Sequence, residues 1–192
     1  MPILGVIASS ISGNLTPPDT GSMFPIAMVN VGSAGAASIS FTSIPQTYKH
    51  LQLRLIGADN ASGSDYGNMQ FNGDTGANYA SHQLYGDGSS ATANNFPNNN
   101  QIYIHRIPGS ITNTFGAVIV DILDYTNINK YKTVRELGGY DANGSGRISF
   151  SSGMWFGGTI GNSANTITSI SISTGGSSWL QYSQFALYGI KG

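Results

Sequence analysis

Few side chains in this sequence could move a proton near neutrality. Of its nine acidic residues only Glu136 is a glutamate, and the histidines are His50, His82 and His105. General acid–base or glycosidase chemistry needs two such groups facing one reacting bond. Asp121 and Asp124 lie three apart on and just past a strand-like run, which turns their side chains to opposite faces. Asp74, Asp87 and Asp141 each have glycine beside them or a few residues on, the setting in which a carboxylate caps the backbone N–H groups of a turn. No two histidines stand at metal-ligand spacing. There is no nucleophile elbow of the Gly-x-Ser-x-Gly type, no phosphate loop ending in Lys and Ser or Thr, and no dinucleotide fingerprint. Asp141, Asn143, Ser145 and Gly146 match the first half of a calcium loop, but position twelve is Ser152 where a bidentate glutamate is required, so a hairpin turn is expected there. The residues therefore predict no catalytic, cofactor-binding or metal site.

A different chemistry is open to the aromatic and amide side chains. Trp155, Trp179, Tyr85, Tyr103 and Tyr182 could offer flat faces to sugar rings, or pack a core or an interface. The Asn-rich stretch at 89–100, with Asn94, Asn95, Asn98, Asn99 and Asn100 around Phe96 and Pro97, reads as a long loop and a possible contact surface, with Trp179 as a further candidate.

The elements that would carry these groups are short strands. Leu51, Leu53 and Leu55 alternate with Gln52 and Arg54; Ile39 and Phe41 alternate with serines. Ile148, Phe150, Met154 and Phe156 share one parity around Ser149, Ser151 and Trp155, and residues 117–123, apolar except for Asp121, read as a central strand buried on both faces. Turn signals at Asn72-Gly73, Gly86-Asp87-Gly88, Asn143-Gly144 and Gly175-Gly176 separate the runs. No stretch has an amphipathic helix period. The expectation is an all-β fold, an antiparallel β-sandwich of jelly-roll or related topology, with a β-barrel as the alternative. Pro17, Pro18 and Gly21 divide the chain into an N-terminal arm with linker (1–22) and a single sandwich domain (23–192). The arm's Ile3, Leu4, Val6, Ile7, Ile11 and Leu15 lack an obvious partner and suit strand addition to a neighbouring molecule. They are too often interrupted by polar residues to span a membrane.

Charged residues make up 9% of the chain, net charge is −1, and the 26 glycines outnumber every helix-forming signal. A surface so poor in charge does little to repel its own copies, which favours assembly. The eight basic residues are scattered, which argues against nucleic acid as a partner. Cysteine is absent, so packing and strand pairing must hold the fold.

Several blocks together resemble a family of tailed-bacteriophage virion proteins of the cyanophage type. They are 2–10 (PILGVIASS), 39–53 (ISFTSIPQTYKHLQL), 71–79 (FNGDTGANY), 121–134 (DILDYTNINKYKTV), 138–140 and 185–192 (FALYGIKG). The resemblance implies a non-enzymatic virion protein assembled in the host cytoplasm. Two positions suit it: a capsid cement or decoration protein, trimeric and gripping the major capsid protein with its arm, or a tail-fibre or baseplate-associated module that binds host glycan.

Overall fold

The computed structural model describes residues 21–109 and 111–192, and the arm residues expected to make assembly contacts lie outside them. The regular structure of the body is almost wholly strand: β1 (Met23–Asn30), β2 (Ser38–Phe41), β3 (His50–Gly57), β4 (Asp65–Phe71), β5 (Tyr79–Gly86), β6 (Ala91–Asn99), β7 (Ile102–Ile107), β8 (Gly116–Leu123), β9 (Lys132–Asp141), β10 (Gly146–Trp155), β11 (Ile170–Thr174) and β12 (Gln184–Ile190). A single helical turn, Ser163–Asn165, is capped by the Asn162 side chain.

Two antiparallel sheets pack as a sandwich. The larger has eight strands in the order β1, β12, β3, β8, β9, β10, β5, β6, and the smaller has four, β2, β11, β4, β7. The connections follow a nested plan. β1 pairs with β12, β2 with β11, β3 with β8 and β4 with β7, so the two halves of the chain run beside each other as one long hairpin. That double ribbon is rolled up, because β12 also pairs with β3 and β11 with β4. The hairpins β5–β6 and β9–β10 are additions that widen the large sheet beyond β8.

The period-two pattern explains the core. Leu51, Leu53 and Leu55 of β3, Val118, Val120 and Ile122 of β8, and Phe185 and Leu187 of β12 turn to the small sheet, which answers with Ile39, Phe41, Met69, Phe71, Ile170 and Ile172. Turn chemistry closes the hairpins as expected. Asn143 (φ 53°) and Gly144 (φ 97°) both sit in the left-handed region that a two-residue hairpin turn of the primed type requires. Asp141 Oδ1 accepts from the Asn143 N–H at 2.8 Å, Asp74 Oδ1 from Gly76 at 2.9 Å, and Asp87 Oδ1 from Ser89 and Ser90 at 2.9 and 2.8 Å.

Two expectations are corrected, and a third strand, β10, buries the face that carries its serines. The Asn-rich stretch is an edge strand, β6, hydrogen-bonded to β5, and its Asn side chains alternate between half-buried and exposed positions. Its sequence hid this because Pro97 and the left-handed Asn98 (φ 51°) are turn signals; here they occur at an edge, where a proline needs no ladder partner. β8 is buried on one face only: Ala117 and Ile119 point outward and are exposed. In β10 the pattern is inverted. Ile148, Phe150, Ser152 and Met154 face outward, while Ser149, Ser151, Gly153 and Trp155 face the core. The cause is the close approach of β7: a Cβ at Gly153 would stand 2.8 Å from the Ile102 side chain, and one at Gly138 of β9 would stand 2.6 Å from His105 Cβ. Small residues are needed wherever β7 crosses beneath β9 and β10.

Candidate functional site

The inverted strand produces two unusual places, one on each side of the large sheet. Inside, the serines of β10 meet the polar residues of β5, β7 and β9. His105 Nδ1 lies 2.6 Å from Ser149 Oγ, which is 3.5 Å from Glu136 Oε1. Gln83 Nε2 donates to Ser151 Oγ at 3.4 Å. Burial pushes Glu136 up to about 7, opposed by the hydrogen bonds from Ser151 and Ser149. Burial pushes His105 down to about 4, helped by the Arg147 guanidinium. The residue types are those of a nucleophilic triad, but the order is wrong: serine stands between histidine and carboxylate, so the imidazole cannot take the serine proton while the carboxylate steadies its other nitrogen. All three side chains are closed off from solvent. The arrangement can titrate and can pin β7 against β9 and β10; it offers a substrate no approach.

Outside, the alternation that put serines in the core puts large apolar side chains in solvent. Strand register aligns them in rows across the sheet. One row runs Ile119, Leu137, Phe150, Leu84 over β8, β9, β10 and β5, and ends at Ala93 of β6. The next runs Ile56, Ala117, Gly139, Ile148, Gly86 and Ala91. The six large residues of these rows are between 40% (Ile119) and 55% (Phe150) exposed, far above the scattered surface leucine of an ordinary monomer. An open groove of about 860 Å³ lies between Ile56, Ile119, Leu137 and Ile148, with Arg54 and Arg147 among its lining residues. Arg54 is the one charge in the first row; it donates to Gln52 Oε1 at 3.0 Å and lies over the Tyr188 ring. The following row is polar, with Gln52 donating to Asp121 Oδ1 at 2.9 Å and Arg135 3.6 Å from Asp121 Oδ2.

The other sequence candidates are dispersed. Trp179 is fully buried against Phe185, with ring centroids 4.8 Å apart, so it is a core residue and not a binding platform. Trp155 is also buried and donates to Asp74 Oδ2 at 2.7 Å. Phe96 packs edge-on to Tyr103 and Tyr66, which leaves the asparagines of β6 as an edge instead of a sugar pocket. Asp124 is held well below the ordinary carboxylate range by its hydrogen bond to Lys130, despite some burial, with Lys49 assisting. Among the described residues no three His, Asp or Glu side chains gather as a metal ion would need, and no helix is long and apolar enough to cross a membrane. The apolar rows went unread in the sequence, although the signal was present: β8 has large apolar residues on both parities, and β10 has them opposite its tryptophan.

Fold and surface together define an all-β sandwich in which, among the described residues, no strand or loop covers the apolar outer face of the large sheet. No family model, curated protein or solved structure matches the chain.

Proposed function

We propose that the protein is a non-enzymatic structural part of a tailed-phage virion, a capsid cement or decoration protein. The observation that carries the reading is the outer face of the large sheet, whose six large apolar residues are left in solvent on a chain with 9% charged residues. Such a face is stable in solution only at low concentration or against another protein surface. The resemblance of the sequence blocks supplies the virion setting. The nested pairing of β1–β12, β2–β11, β3–β8 and β4–β7 supports a jelly roll with two added hairpins, an architecture common in viral shells. Residues 1–20 would supply the contact to the shell, by laying Ile3, Leu4, Val6, Ile7 and Ile11 along the major capsid protein. The buried tryptophans and the edge-strand position of the asparagines weigh against glycan adhesion.

The test is reconstitution. Capsid shells stripped of the protein should regain thermal stability when the full chain is added back, and much less when the chain lacks residues 1–20. Shells indifferent to the full chain, with antibody label found only on tail tips, overturn the cement reading in favour of adhesion.

A further inference from the structure

We propose that the outer face of the eight-stranded sheet is an isologous interface between two copies of this chain. The pairing stands on this surface alone and holds in solution whether or not the chain belongs to a virion. Four features select a second copy over other occupants.

The first is shape. In a face-to-face pair related by a two-fold axis running along the strands between β9 and β10, β9 lies over the partner's β10 and each row meets itself. Leu137 then meets the partner's Phe150, and Ile119 meets the partner's Leu84. In the next row the Cβ-less Gly139 receives the partner's Ile148, and Ala117 lies over the partner's Gly86. Under that operation the first row meets apolar on apolar along its length, and in the second the dent at Gly139 takes the knob at Ile148 in both copies.

The second is charge. Arg54 is the one charge in the two apolar rows, and the polar row beside them pairs Asp121 with Arg135 on one side of the axis and carries Ser152 and the imidazole of His82 on the other. The same operation sets Asp121 over the partner's His82 and Arg135 over the partner's Ser152, so no like charges are opposed.

The third is area. Six strands at about 4.8 Å each, with the two apolar rows and the polar row beside them about 6.8 Å apart, cover on the order of 600 Å² per copy, which reaches the lower end of the stable range. The fourth is hydrogen bonding. The backbone groups of the five strands from β3 to β5 are held in the sheet ladder, so an arm laid across the face as an extended strand would find none there to pair with. A second sheet arrives with its backbone already paired and offers only side chains.

The test is sedimentation of the full chain at tens of micromolar, alone and as L137K and F150D. The wild type is expected as a dimer, or as an even multiple if another contact also operates, and each variant as the half-sized species with association weakened about a hundredfold. Mixing the two variants should restore a one-to-one pair, because the introduced ammonium of one chain faces the introduced carboxylate of the other while the second site keeps Leu137 against Phe150. That recovery also shows that both variants are folded. A wild type that is monomeric overturns the proposal, as does an oligomer indifferent to both substitutions or a mixture that stays apart. A full chain that is monomeric beside a dimeric chain lacking residues 1–20 would make the arm the occupant and overturn it as well. A trimer unaffected by either substitution would sink this pairing and leave the virion reading standing.

Discussion

Glu136 is the only glutamate, and the fold places it where a carboxylate is least comfortable. Its pKa is raised from 4.5 to about 7, so the folded state holds the proton more tightly than the unfolded chain. That contribution is complete below pH 4.5 and is lost as pH rises through about 7. Glu136→Gln, neutral throughout, should match the wild type near pH 4 and become the more stable protein by on the order of 3 kcal/mol at pH 8. Denaturant unfolding across that range would show it; a difference independent of pH would mean the carboxylate is solvated. His105 runs the other way. Its lowered value, about 4 against 6.5, gives a contribution present above pH 6.5 and lost as pH falls toward 4. Both proteins share that loss, so it cancels in the comparison.

β10 is the element on which the molecule turns. Its serines face inward because β7 leaves no room for larger side chains, and its isoleucine and phenylalanine are thereby displaced to the outside. Two adjacent substitutions separate the faces. Ser151→Leu forces a large side chain beneath β7 and takes a hydrogen-bond partner from Gln83, and should cost about 2 kcal/mol or more. Ser152→Leu, one residue on and facing solvent, should stay within about 0.5 kcal/mol. Equal effects in denaturant unfolding would contradict the inverted face. The edge strand β6 is legible in the same terms: its proline and left-handed asparagine read as a loop in sequence, and in the fold they make a sheet edge unattractive to other strands.

At the scale of the whole molecule the first and last strands of the described body are paired. β12 lies between β1 and β3, and its Phe185 and Leu187 are fully buried. Removing residues 184–192 would strip β1 of its only neighbour among the described residues and open the core along β3. The shortened chain should show no near-ultraviolet dichroism and no cooperative melt. A cooperative melt in that chain would mean β12 is dispensable to the body.

The sequence by itself determined the class of the fold, the alternating Ile39–Phe41 face of β2 and leucine face of β3, and the aspartate-capped turns. Period-two alternation and turn chemistry are local properties, set by residues within a few positions of one another. What the tertiary structure alone decided is which parity of a strand faces in. Trp155 and Phe150 are both large and apolar, lie five apart, and so take opposite faces of β10; only the approach of β7, more than forty residues earlier in the chain, made the serine face the buried one. The buried Glu136, the burial of Trp179 and the apolar rows all follow from contacts between distant strands, whose register no local pattern encodes.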